Sequence, residues 1–198
     1  MGVTLFCVDM LYALAHVLRE KCPWLWDAIE WGNSVVFGVL YGRRLRGLGE
    51  VLSRYQQTYA VEYLTKEDVG ALVQFFSEQP EEAFTYFKPH GFDGKTIRKI
   101  QKSRSFLAFV VKDKGVIVGY FFLRCYFMGK CFRGYMVDYR QRNRGISKLT
   151  SKVMTDVAEM LGIPSYGTIA PENIASMKSQ NATVLRQLEN GDYYVEYR

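Results

Sequence analysis

Between Phe106 and Asp138 the chain reads as strand with only brief interruptions. Phe106–Lys112 and Val116–Met128 are rich in Val, Ile, Phe and Tyr, residue types that suit a pleated, buried surface. A Lys-Asp-Lys-Gly turn joins them, which is a hairpin signal. Gly129-Lys130 makes a second turn, and Cys131–Asp138 returns as a third strand. The aromatic share, 15%, fits such strands and the pockets beside them better than a coiled coil.

Helical patterns flank this meander. Thr58–Leu64 alternates as a strand, and Thr65-Lys-Glu-Asp then has the form of a helix N-cap with acids in the first turn. That helix runs to about Ser77, and Asp93–Lys102 reads as a short amphipathic helix. Beyond Asp138 an Arg/Gly loop leads into a helix from Ile146 to Leu161, ended by Gly162-Ile-Pro. Tyr166–Ala170 is a strand, and Pro171-Glu-Asn starts a further helix. Val184–Leu188 and Tyr193–Tyr197 close the chain as strands joined by Glu-Asn-Gly-Asp. The fold class expected is α+β, a mixed and mostly antiparallel sheet flanked by helices.

Composition shifts near residue 56. All three Trp lie before it, and Leu5, Val8, Leu11, Ala15 and Leu18 recur at helical spacing. Cys22-Pro23 stops that helix. A second helical stretch, 24–41, is apolar almost all round, and Gly42, Gly47 and Gly49 then punctuate Arg43, Arg44 and Arg46. The division expected is a helical N-terminal extension, 1–56, and a domain, 57–198. The extension either packs on the domain or a partner, or lies on a membrane surface with Trp at the interface and Arg near headgroups. No run reaches the length of clean apolar sequence needed to span a bilayer. Met1-Gly2 does not open a myristoylation motif, because residue 6 is Phe.

Net charge is +6, which suits phosphorylated or acidic ligands. No run of five basic residues exists, so nucleic acid is not the expected partner. Four Cys without a C-x-x-C pair, and only His16 and His90, make a metal site improbable. Free thiols and no recognisable leader give a cytoplasmic reading, with attachment at the inner membrane face kept open. Cys125 and Cys131 bracket a turn and are expected near each other.

The informative stretch is Met136-Val-Asp-Tyr-Arg-Gln-Arg-Asn-Arg-Gly-Ile-Ser. A strand ends, a basic loop with one Gly follows, and a helix opens at once. A helix N-terminus presents unpaired N–H groups and partial positive charge, so this junction is an anion site. Gly145 lets the backbone approach a phosphate, and Arg142 and Arg144 add fork-shaped donors. The stretch resembles the signature of the GCN5-related N-acetyltransferase (GNAT) family, Gln/Arg-x-x-Gly-x-Gly/Ala, at Arg142, Gly145 and Ser147. Ser147 departs from the usual Gly or Ala but is small. The element order over 57–198 is similar to that family's as well.

The resemblance implies an acyl-CoA co-substrate, acetyl-CoA first, and no metal. It implies that Met136 and Val137 hold the pantetheine arm where two strands splay. Asn143, Arg144, Gly145, Ile146 and Ser147 would give amides to the pyrophosphate, and Asn173 would stand beside it. The family's Tyr seven residues after that Asn is Gln180 here, which cannot protonate a thiolate. Tyr166 is one replacement. For the base the candidates are Asp138, His90 and Glu62, with Asp138 also readable as a turn former and His90 as plain surface. Residues 83–93 are expected to line an acceptor site or to be ordinary core aromatics.

The implied reaction is transfer to a primary amine of a small metabolite by direct attack in a ternary complex. The strings Phe-Lys-Pro-His and Gly-Tyr-Phe-Phe-Leu-Arg are similar to acetyltransferases of bacterial polysaccharide clusters, which suggests an amino sugar. A protein or peptide amine is the alternative acceptor. A non-catalytic interaction or membrane scaffold is the alternative class. The oligomeric state is open, a homodimer included.

Overall fold

The computed structural model describes residues 22–173, 176–177 and 181–197. The expected helix around Leu5–Leu18 and most of the helix expected after Pro171 lie outside these residues, as does Gln180. The described chain forms helices α1 (Pro23–Leu45) and α2 (Leu48–Ser53), strand β1 (Ala60–Tyr63), and helices α3 (Val69–Ser77) and α4 (Gly94–Lys102). Strands β2 (Phe106–Asp113), β3 (Val116–Tyr126) and β4 (Lys130–Val137) follow, then helix α5 (Ile146–Leu161). Strands β5 (Ser165–Ile169), β6 (Ala182–Gln187) and β7 (Tyr193–Tyr197) complete it.

The seven strands make one sheet in the order β1-β2-β3-β4-β5-β7-β6. Every neighbouring pair is antiparallel except β4 and β5, which run parallel. This is the mixed, mostly antiparallel α+β sheet that the sequence predicts. Alternate residues of β2 and β3 point to opposite faces, and both faces are covered. Leu107, Phe109, Val111, Phe121 and Leu123 pack under α5, with Phe37 of α1 and Val51 and Leu52 of α2 in the same core. Ala108, Val110, Tyr120 and Phe122 pack under α3 and α4. Burial on both faces is why these two strands read as near-continuous apolar runs and not as clean alternation.

Two details differ from the sequence expectation. Helix α1 runs through Gly42 to Leu45, because one Gly costs only about 1 kcal/mol in a helix anchored elsewhere by packing. Thr65 does not cap α3 with its own hydroxyl oxygen as acceptor. Its N–H and hydroxyl both donate to the Asp68 carboxylate, at 3.0 and 2.7 Å, and the helix proper starts at Val69. Asp93 does cap α4, accepting from the N–H groups of Lys95 and Thr96. Residues 37–52 of the extension share the domain's core through Phe37, Val51 and Leu52, as the packing alternative has it. Cys125 and Cys131 are opposite each other on β3 and β4, buried and unbridged.

Candidate active site

The sheet parts in the middle. Between β4 and β5 only two rungs exist, Cys131↔Ser165 and Phe132↔Tyr166. Past Phe132 the backbone of β4 leaves its neighbour, and the gap opens into a cleft of about 1030 Å³. Small-molecule sites run roughly 300–1,000 Å³, so this cleft accommodates a large ligand or two together.

One side of the mouth is the Arg/Gly loop. Asp138 ends β4, its N–H donating to the Val118 carbonyl at 3.0 Å. Gln79, at the end of α3, accepts the Tyr139 N–H at 3.1 Å and donates to the Phe75 carbonyl at 3.0 Å. Arg140 reaches Glu78 at 2.7 Å. The loop is thus tied to α3 before it enters α5. Asn143 has φ +63° and Gly145 φ +79°, left-handed backbone that a side chain makes costly at position 145. A Cβ on Gly145 would meet nothing within 4 Å, so the space beside it is open. The Leu149 N–H is the first to bond back, to the Gly145 carbonyl at 3.0 Å. The amides just before it belong to the unpaired first turn of α5. The helix also sits close to the sheet here, since a Cβ on Gly119 would stand 3.3 Å from Ile146.

Met136, Val137, Arg142, Asn143, Gly145, Ile146, Ser147 and Asn173 all line this one cleft. Arg144 is not on its wall; its Nη1 donates to Gln141 Oε1 at 2.6 Å. Asn173 accepts the Ser176 N–H on its side-chain oxygen at 3.2 Å, which fixes it at the start of the turn after β5. The far wall comes from the segment after α3: Glu82, Ala83, Tyr86, Phe87, Lys88 and Pro89. Phe122 and Gly134 form the floor between. A Cβ on Gly134 would lie 2.8 Å from the Phe122 ring, so only Gly leaves that ring its place.

The candidate acid–base residues are placed elsewhere. The Asp138 carboxylate is buried and turned onto Arg140, accepting its N–H at 2.9 Å and its Nε at 3.0 Å. Burial alone would raise its pKa, but the hydrogen bonds and charge of Arg140 hold it below the usual range. His90 stands in a ring of Phe76, Phe92, Phe106 and Phe122, with Nε2 2.9 Å from the Tyr120 hydroxyl and Nδ1 2.8 Å from the Gly91 carbonyl. It borders a second cavity of about 580 Å³ beside α1, not the cleft. Glu62 pairs with Lys112 on β2 at 2.7 Å. Tyr166 stacks on Tyr194 at 5.4 Å, and burial and Glu196 raise its pKa.

The cleft itself carries other groups. Its cations are Arg133, Arg142, Lys88 and Lys148, and its carboxylates are Glu82 and Glu172, so the positive sign prevails. Tyr86, Tyr135 and Tyr197 bring hydroxyl-bearing rings to it. Arg142 was expected from the motif, and Tyr86 and Lys88 fall in the expected stretch 83–93, but Arg133, Lys148, Glu82, Glu172, Tyr135 and Tyr197 were not singled out from the sequence as site residues. Arg133 had a signal: an Arg inside the apolar strand Cys131–Val137.

No protein-family model matches this chain, and no curated protein matches it by sequence. Solved structures do resemble it. The GNAT domain of PAT from S. lividans superposes with a TM-score of 0.62 at 16% identity, covering 70% of this chain and 89% of that one. The PaiA N-acetyltransferase of Thermoplasma acidophilum, in complex with coenzyme A, gives 0.58 at 12% identity, covering 72% and 99%. YncA of Salmonella typhimurium, solved with its cofactor acetyl-CoA, gives 0.57 at 15%, covering 72% and 94%. At these identities the likeness establishes architecture, and the chain has the GNAT fold.

Proposed function

We propose that the chain is an acyl-CoA-dependent N-acyltransferase acting on a primary amine of a small metabolite. The observation that supports this best is the meeting of two features in one cleft. A helix N-terminus with an open glycine loop adjoins the gap where β4 leaves β5. The residues fit CoA on their own chemistry. The α5 amides, Arg142 and Lys148 suit a pyrophosphate. The free backbone edge of β4 from Gly134 to Val137 suits an amide-bearing arm, because past Phe132 it has no partner on the β5 side.

When bound, the thioester supplies an activated carbonyl. The chain's part is to hold it against the amine and keep water out. The amine nitrogen attacks the carbonyl carbon, the C–N bond forms, the C–S bond breaks, and the thiolate takes a proton. Of the groups lining the cleft, Glu82 and Glu172 are our candidates to accept the amine's proton, directly or through water, and Tyr86, Tyr135 and Tyr197 our candidates to protonate the thiolate. Asp138 serves to shape the loop. The Ala83–Pro89 wall and Phe122 form the acceptor side, where aromatic faces suit a sugar ring. An amino sugar therefore stays the first acceptor to try.

The test is release of free thiol from acetyl-CoA with a panel of amino sugars, polyamines, amino acids and peptides. Release stimulated by a small amine supports the proposal. CoA binding with no release on any amine favours a non-catalytic protein of this fold.

A second reading concerns attachment. Trp24, Trp31 and Val39 of α1 are more than half exposed, and Arg43 and Arg46 stand exposed at its end. Such a stripe suits a membrane surface carrying anionic lipid. No helix among the described residues is long and apolar enough to cross a membrane. Co-sedimentation with anionic but not neutral vesicles, abolished in Trp24→Ser/Trp31→Ser, would support attachment. No sedimentation with either would remove it.

A further inference from the structure

The inner end of the cleft holds a charge that the acyl-transfer scheme does not use. Arg133 is the first residue of β4 beyond the last rung shared with β5. It is only 6% exposed and lies on the cleft wall. Its Nη1 donates to Thr155 Oγ1 at 2.9 Å and its Nη2 to Ser151 Oγ at 3.2 Å, both on α5. The guanidinium lies 3.5 Å from the centre of the Tyr197 ring. That ring has room only because residue 167 is Gly: a Cβ there would stand 2.5 Å from the Tyr197 hydroxyl. The third nitrogen, Nε, is buried with no hydrogen-bond partner.

The other sheltered cations among the described residues have acids beside them. Lys112 has Glu62 and Asp68, and Arg124 has Glu30. Arg133 has two hydroxyls and a ring. Burial lowers its pKa to about 10, which still leaves it charged at neutral pH. A buried cation without a counter-charge and a buried N–H without an acceptor both cost stability. A ligand that brings an anion beside the guanidinium offsets the first of these costs.

We propose that Arg133 binds a carboxylate at the distal end of the transferred acyl group, so that the preferred donor is a short dicarboxylic acyl-CoA. The proposal rests on the acyl-CoA reading above and changes only the acyl chain. An arm held along the free edge of β4, running from the loop towards Phe132, ends at the level of Arg133. An acetyl group at that level brings no counter-charge to the guanidinium. A carboxylate there supplies the charge that the protein does not. A carboxylate on the acceptor amine would offer the same chemistry, so the test omits the acceptor.

The experiment is calorimetric titration of the full chain with CoA, acetyl-CoA, malonyl-CoA and succinyl-CoA, no amine present. A charge-assisted hydrogen bond in a buried site makes one dicarboxylic ester bind about tenfold or more tighter than acetyl-CoA. In Arg133→Met that difference disappears, and in Arg133→Lys, which keeps the charge but loses the fork, it shrinks. Equal binding of all three esters by the wild-type chain overturns the proposal, and this comparison stands even if Arg133→Met does not fold. A preference that survives in folded Arg133→Met overturns the assignment to this residue. Failure of every ligand, CoA included, overturns the acyl-CoA reading itself and is distinguished by the CoA control.

Discussion

Asp138 and Gly134 show how single residues near the cleft are fixed by their surroundings. The Asp138 side chain is nearly buried while Arg140 is half exposed, at 6% and 49%. Its folded pKa is depressed, so the stability it contributes is full above the ordinary aspartate value of about 3.9. That stability is lost as pH falls through the lower folded value. Asp138→Asn is therefore expected to cost about 1 kcal/mol at pH 7, less than a fully buried charged bond because Arg140 is solvated. The gap to wild type closes in acid, as urea midpoints at stepwise lower pH would show. Since Asp138 faces Arg140 and not the cleft, the pH profile of turnover keeps its shape in Asp138→Asn. Loss of an acidic limb in Asp138→Asn, the limb that protonation of a base carboxylate sets, would return it to the catalytic candidates. Gly134→Ala pushes a methyl to within 2.8 Å of the Phe122 ring. Such overpacking costs roughly 1–3 kcal/mol, readable as a lower denaturation midpoint.

At the scale of elements, α5 carries the argument. Its start and end, Ile146 and Leu161, are legible in the sequence because local signals set both: a Gly before and Gly162-Ile-Pro after. Both flanking glycines adopt left-handed backbone, with φ +79° and +65°. Its last turn is also held from outside. Arg44 of α1 donates to the Leu161 carbonyl, where a cation complements the helix dipole. Arg44→Ala is expected to lower stability by about 1 kcal/mol, measured by urea unfolding. The meander was legible for the same local reason, short turns between β-branched and aromatic runs. The start of α3 was not. Thr65 has a capping residue's identity, but whether its hydroxyl accepts from the helix amides or donates to the Asp68 carboxylate is a matter of side-chain geometry that residue type does not encode.

For the whole molecule, the boundary near residue 56 is a change of composition, while the core runs across it. Phe37 is fully buried among residues of the sheet and α5. Phe37→Ala is expected to cost roughly 3–5 kcal/mol, and removal of 1–56 to leave a chain that unfolds at lower urea. A 57–198 fragment as stable as the full chain would make the extension independent instead. The site divides in the same way. The side proposed for the pyrophosphate was legible because one loop and one helix start supply nearly all of it in sequence order. The opposite wall, Glu82 to Pro89, falls largely in the stretch 83–93 that aromatic content marked, but its meeting with the floor at Phe122 is made by the sheet, across distances in sequence that no local pattern spans. His90 lies in the stretch expected to form that wall, yet its ring turns into the aromatic core behind it.

The central claim is that the loop at Gly145 holds a pyrophosphate at the open edge of β4. Titration of the full chain with CoA, wild type against Gly145→Asp, tests it most directly, with circular dichroism to confirm that the variant folds. The account predicts saturable binding by the wild-type chain, weakened at least about tenfold by the added carboxylate. Absence of CoA binding by the wild-type chain, or undiminished binding by a folded Gly145→Asp variant, would contradict it.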